Sequence, residues 1–120
     1  MDLNFFKQTR ILDGGMGQEL LARGMKPNGT LWSANAILDE NYHQLLQDTH
    51  RDFVKAGAEV IVTTTFTARR RRLRENNIED KFEYLNIKAG EIACNVKKEF
   101  PNVLIAGGLP PQELTYEADE

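Results

Sequence analysis

The sequence predicts an α/β fold with about three parallel strands and flanking helices. Three observations carry this. Short apolar runs recur at Ile11-Leu12, at Val60-Ile61-Val62-Thr63-Thr64-Thr65 and at Val103-Leu104-Ile105-Ala106. Helical patterns and turn signals fill the stretches between them. The strand runs also fail to alternate apolar with polar residues, which is how strands buried on both faces of a parallel sheet read. Strands alternating with helices imply right-handed crossovers and helices packed outside the sheet.

The first strand, at 11–12 and extending back to Thr9, enters a glycine turn, Asp13-Gly14-Gly15-Met16-Gly17. Residues 18–23 (Gln-Glu-Leu-Leu-Ala-Arg) form a short helix, with Gly24 placed as its C′ residue. Residues 25–36 read as irregular, punctuated by Pro27 and Asn28-Gly29. Asp39 caps a stronger helix whose apolar stripe is Tyr42, Leu45, Leu46, Thr49, Phe53 and Ala56, and Gly57 ends it. The β-branched run at 60–65 is the second strand.

Residues 66–76 form a polar, arginine-rich helical segment. Asn77 caps the next helix, with Asp80 three positions on in a capping-box arrangement. The stripe of that helix is Phe82, Leu85, Ala89, Ile92 and Val96, and Pro101 stops it. Gly107-Gly108 closes the third strand. Pro110-Pro111 and the acidic end, residues 117–120, read as loop or tail.

The composition bounds function as well as fold. Hydrophobic residues make up 41% and charged residues 28% of the 120, which suits a single globular domain. A net charge of −3 gives no general attraction to nucleic acid or anionic membrane. The single cysteine, Cys94, allows no internal disulfide and points to a reducing, cytoplasmic setting. The start shows no signal-peptide pattern, and no apolar run nears the ~20 residues needed to span a bilayer.

Three parallel strands are a poor stopping point, because such a sheet needs both faces covered and its edges paired. An eight-stranded β/α barrel takes ~250 residues. The residues alone leave two architectures open: a small open sheet, or the first part of a barrel.

One run, Ile11-Leu12-Asp13-Gly14-Gly15-Met16-Gly17-Gln18-Glu19-Leu20-Leu21, resembles the opening of the homocysteine S-methyltransferases. So do Leu31-Trp32-Ser33-Ala34-Asn35-Ala36, the stretch from His50 to Ile61, Thr63-Thr64-Thr65-Phe66, and Ala106-Gly107-Gly108-Leu109-Pro110-Pro111, in that order. The resemblance implies the N-terminal portion of a (β/α)8 TIM barrel, with residues 1–120 forming a partial, truncated homocysteine-binding domain. It also implies a reaction. A methyl group passes from a sulfonium-type donor (S-methylmethionine or S-adenosylmethionine) to the thiol of homocysteine, giving methionine. In the family a zinc ion holds that thiol as thiolate, a better nucleophile than the thiol with its pKa near ~8.5. The family's zinc ligands are cysteines later in the barrel, two of them adjacent, and none of that pattern is present here. Cys94 lies on a helix ahead of the third strand and takes no such role.

By resemblance, Asp13 with Gly14 and Gly15 holds the amino and carboxylate groups of homocysteine. The residues themselves fit that role, an acid for an ammonium and bare backbone N–H groups for a carboxylate. They fit equally an aspartate capping an ordinary strand–helix turn. Trp32, the sole tryptophan, lines the donor site in the betaine-using branch and otherwise anchors its loop. Thr65, Phe66 and Thr67 border the donor pocket by resemblance. The betaine branch has a tyrosine where this chain has Thr67, which argues against betaine. The threonines otherwise serve strand propensity and helix capping.

Arg69-Arg70-Arg71-Arg72 and Arg74 form the densest charge cluster and read as a solvated helix face, with Glu75, Glu79 and Asp80 as partners, rather than as a phosphate site. His43 and His50 lie seven apart, not the three or four of a helical metal pair, and read as surface or packing residues. The expected partners are therefore small molecules, homocysteine and a methyl donor. The competing reading is a catalytically inactive amino-acid-binding remnant or interaction module lacking zinc.

Overall fold

The computed structural model describes residues 2–111. It is a mixed α/β fold, rich in helix, around a small parallel sheet. The elements run α1 (Met16–Ala22), α2 (Asn35–Leu38), α3 (His43–Lys55), β1 (Val60–Val62), α4 (Arg70–Glu75), α5 (Phe82–Glu99) and β2 (Leu104–Ala106). Single 3-10 turns at Leu3–Lys7, Trp32–Ala34, Glu40–Tyr42 and Glu79–Lys81 join them.

β1 and β2 pair in parallel, with Val60 opposite Leu104, Ile61 opposite Ile105 and Val62 opposite Ala106. The expected first strand is reduced to one parallel bridge, Leu12 to Val60. Ile11 and Leu12 are each 58% exposed, so no burial holds them to a longer ladder. The bridge is tied at its start by Glu59, whose Oε2 accepts the Ile11 N–H at 3.0 Å while its Oε1 pairs with Arg10 at 3.1 Å. The second strand is shorter than the β-branched run at 60–65, because the chain bends after Val62. Thr63 and Thr65 bond there to residues 106–108 through main chain and side chain rather than through a regular ladder.

Three helices end in the same local way, and each end is coded by one residue with positive φ. After α1, Gly24 (φ +102°) lets its own N–H reach Leu21 O and the Met25 N–H reach Leu20 O. After α3, Gly57 (φ +120°) repeats the pattern onto Val54 O and Phe53 O. These are Schellman ends, in which an αL residue lets the chain fold back onto the last free carbonyls. Asn77 does the same after α4, with φ 60° and bonds from Asn77 N–H to Arg74 O and from Ile78 N–H to Leu73 O. This corrects its expected role. Asn77 stops the helix before it and does not cap the helix after it; no side chain caps the Glu79–Lys81 turn. Asp39 caps one turn earlier than expected: its carboxylate accepts the Asn41 N–H at 3.0 Å and so caps the Glu40–Tyr42 turn, while α3 itself starts after Tyr42 without a side-chain cap.

Two further expectations change. Residues 25–36 are not wholly irregular. Trp32–Ala34 and Asn35–Leu38 turn helically, and Ala34, Ala36 and Ile37 are fully buried. The arginine-rich helix is shorter than expected and spans only Arg70–Glu75. The acidic end at 117–120 lies outside the described residues.

The core has two parts. The larger joins Leu20, Ile37, Leu46, Leu73 and Leu85, one from each helix, with Leu31 from the loop before Trp32. The smaller joins Ala58, Ile61, Ala93, Val96 and Val103, where α5 meets the sheet. The α5 stripe is buried as its spacing predicts, except Phe82, which is only partly covered. Burying such side chains is worth on the order of 1.5–3 kcal/mol each, so α3 and α5 hold the sheet mainly through this seam. No helix among the described residues is long and apolar enough to cross a membrane.

Candidate functional site

A cleft of ≈ 780 Å³ opens where the strands run out. Its residues come from the turn Asp13 to Gln18, from Trp32-Ser33, and from Val62 to Thr64, Phe66 and Thr67, with Arg72. Its size falls in the range of small-molecule sites.

Asp13 sits at the point where the first bridge gives out. Its N–H donates to Val60 O at 3.1 Å, and the next rung is completed by its side chain, with the Val62 N–H donating to Asp13 Oδ2 at 3.0 Å. The carboxylate thus replaces a main-chain carbonyl, and Asp13 is fixed in position at the lip of the cleft. Burial pushes its carboxyl up, against the lowering pull of the Val62 and Asp13 N–H groups.

Gly14 and Gly15 differ in why they are glycine. A Cβ on Gly14 would lie 3.0 Å from Cε1 of Phe53, so packing against α3 explains it. A Cβ on Gly15 would meet only Gln18 Cβ at 4.0 Å, and its φ is −69°. Neither crowding nor backbone angle calls for glycine there. What the residue provides is bare main chain facing the cleft, beside the first-turn amides of α1, which have no intrahelical acceptor.

Trp32 is 53% exposed and Phe66 47%, and both line the cleft. Trp32 has φ 51°, a conformation that costs a non-glycine residue about 1 kcal/mol or more and is held by its neighbours. Thr67 is one of them. It is buried, its hydroxyl donates to Leu31 O at 2.5 Å, and it accepts the Ala34 N–H at 3.2 Å. That pins the chain on both sides of Trp32. Thr65 does not face the cleft. It is buried and its hydroxyl donates to Gly108 O at 3.1 Å, tying the exits of β1 and β2 together.

The structure therefore gathers Asp13, Gly14, Gly15, Trp32, Phe66 and Thr67 around one cleft and places Thr65 behind it. Other lining residues, Ser33 and Thr64 among them, lie inside the family-like runs without being singled out as site residues by the sequence. Behind Thr64 lies His50, fully buried, with Nε2 3.4 Å from Thr64 Oγ1 and Nδ1 without a hydrogen-bond partner among the described residues. Burial pulls its imidazole down to about 4. His43 instead bonds through Nε2 to Ile37 O at 2.6 Å.

The arginine cluster is not one solvated face. Arg70 stacks 4.1 Å from the Phe82 ring centroid, Arg71 pairs with Glu75, and Arg74 makes two bonds to Glu79. Arg69, however, is only 4% exposed, donates to Pro111 O and lies over Phe66. Arg72 lines the cleft. Among the described residues, no group of three or more His, Cys, Asp and Glu is placed to hold a metal ion, and Cys94 is exposed.

Comparison with known proteins gives this geometry a context. The profile of the homocysteine S-methyltransferase family matches residues 10–119. Homocysteine S-methyltransferase 2 of Saccharomyces cerevisiae is 32% identical over 90 residues, covering 68% of this chain and 28% of the yeast protein. An S-methylmethionine–homocysteine S-methyltransferase of Rattus norvegicus is 34% identical over 109 residues, covering 90% of this chain and 28% of the rat protein. The crystal structure of the homocysteine methyltransferase MmuM from Escherichia coli, in its metallated form, superposes with a TM-score of 0.75 at 28% identity, over 90% of this chain and 40% of that one. The chain thus spans little more than a quarter of the length of these curated relatives.

Proposed function

We propose, from the premise that this chain belongs to the homocysteine S-methyltransferase family, that its cleft is part of a methyl-transfer site. In this reading the sheet is the opening portion of a (β/α)8 barrel, and the cleft lies at the strand C-terminal ends, where barrel chemistry is built. The Asp13 corner receives homocysteine: the carboxylate takes the ammonium, and the amides after Gly15 take the carboxylate. Trp32 and Phe66 offer aromatic faces to the cationic centre of a sulfonium donor, S-methylmethionine or S-adenosylmethionine. The setting is cytoplasmic and the product is methionine.

The observation that carries this reading is that an acid, an open glycine corner and two exposed aromatic rings line one cleft. Methyl transfer from an onium needs the two reactants in line. The homocysteine sulfur forms a bond to the methyl carbon as the donor's carbon–sulfur bond breaks, and the electron pair stays on the donor sulfur. Positioning of this kind is what fixed side chains contribute. Asp13 is fixed by Val62, and the Trp32 loop by Thr67.

The family's zinc would supply the thiolate. The described residues do not fit a zinc site, since they bring no three ligating groups together.

The test is calorimetry of the 120-residue protein with homocysteine, alongside zinc analysis and an assay for methionine formation with S-methylmethionine. Homocysteine binding that weakens at least roughly tenfold in Asp13→Ala supports the site. Unchanged affinity in that variant rejects it. Stoichiometric zinc with methionine formation would show that these residues suffice for turnover, against the expectation of neither.

A further inference from the structure

The lining of the cleft holds one acid, Asp13, and one guanidinium, Arg72. Asp13 stands beside the amides of the glycine corner, so that corner can meet both charged groups of one amino acid. Arg72 stands elsewhere. Its Nη1 donates to Thr30 O at 3.3 Å, which places it beside the Trp32 loop. Among the described residues the closest carboxylate oxygen, Glu75 Oε2, is 3.9 Å from Nε, too far for a hydrogen bond, and Nε has no hydrogen-bond partner. The side chain is 18% exposed.

Its neighbours are satisfied in ways that Arg72 is not. Arg74 spends two donors on Glu79, and Arg70 lies over Phe82. A guanidinium has five N–H donors, and among the described residues Arg72 spends one, on a neutral carbonyl. A largely covered cation at the edge of a cleft, with most of its donors unspent, is a receptor for an anion.

We propose that Arg72 is the anion anchor for the methyl donor, so that the donor this cleft prefers is an onium carrying its own carboxylate. This rests on the reading of the cleft given above. Two charged ligands then lie in one cleft, each with its own contacts: homocysteine at Asp13, and the donor between the aromatic rings and Arg72. A cleft of ≈ 780 Å³ has room for two small molecules.

The matched probes are S-methylmethionine and its methyl ester, which share the sulfonium and ammonium and differ in the carboxylate. Binding to the 120-residue protein is followed by calorimetry and by the emission of Trp32, its only tryptophan. The unsubstituted protein is expected to bind the acid roughly tenfold or more tighter than the ester. Arg72→Gln should abolish that preference and leave ester affinity unchanged, and Arg72→Lys should restore part of it. Equal affinity for acid and ester in the unsubstituted protein overturns the Arg72 assignment and leaves the onium site standing. Equal weakening of both probes in Arg72→Gln also overturns it, by showing a structural role. Binding of neither probe sinks this inference together with the reading of the cleft. The comparison in the unsubstituted protein decides the matter even if a variant fails to fold.

Discussion

The ring of His50 and the hydroxyl of Thr64 meet at 3.4 Å, linking the buried side of α3 to the wall of the cleft. Burial pulls the imidazole down to about 4 from 6.5. The ring is therefore neutral in the fold at neutral pH. Above about 6.5 the folded and unfolded chains both carry it neutral, and the fold is not penalised. As pH falls from there toward about 4, the unfolded chain takes up a proton that the fold refuses, and stability declines. The full loss is about 3 kcal/mol. Urea unfolding at pH 7 and pH 4.5 should show it, and His50→Gln should flatten the difference. An equally steep decline in that variant would assign the effect to other groups.

Asp13 is held at a cost. Its carboxylate is partly removed from water, which disfavours the charge. Asn at this position keeps an oxygen for the Val62 N–H and drops the charge. Asp13→Asn should therefore melt at the same temperature as the unsubstituted protein at pH 7, or a few degrees higher, while homocysteine affinity drops roughly tenfold or more. A lower melting temperature would mean that the carboxylate serves stability ahead of binding.

Thr67 holds the Trp32 loop from both sides, through Leu31 O and the Ala34 N–H. Ala34 N–H also reaches Leu31 O at 3.1 Å, so removing the hydroxyl leaves neither group wholly unpaired. Thr67→Val should cost about 1–2 kcal/mol in urea unfolding. It should also shift Trp32 emission in the folded protein, because the left-handed turn at Trp32 loses its clamp. Emission identical to that of the unsubstituted protein would show that the loop holds itself.

Asn77 occupies a left-handed position where a side chain with a Cβ is strained. Asn77→Ala should destabilise by about 1 kcal/mol, while Asn77→Gly should be neutral or slightly stabilising. In melting curves, Asn77→Ser separates the two roles: serine would be neutral at a cap of the following turn, but should cost about as much as alanine at this left-handed helix end.

What could be read from the sequence follows from how local the causes are. The end of α1 at Gly24 and the stripe of α5 are coded within a few residues, and both stand where the spacing puts them. Asn77 was misplaced because Asn serves equally at either end of a helix; only its φ separates them. The strand at 11–12 shrank to one bridge because its length depends on burial, and burial is not local. The Asp13 corner was visible as an acid before glycines, but its bond to Val62 spans 49 positions. Arg69 and Arg72 hid within a run of like charges. Their surroundings come from Pro111 and Thr30, each 42 positions away.

The clamp at Thr67 also bears on how such a site can change over evolutionary time. The acid corner hangs from strand β1, whereas the aromatic rings and Arg72 belong to a loop and a short helix fastened to each other by side-chain bonds. Substitutions on the second group leave the rung between Asp13 and Val62 alone. If the cleft binds two ligands as proposed, descendants of one ancestral chain could trade the ligand at the rings while their grip on the one at the acid stayed inherited and intact.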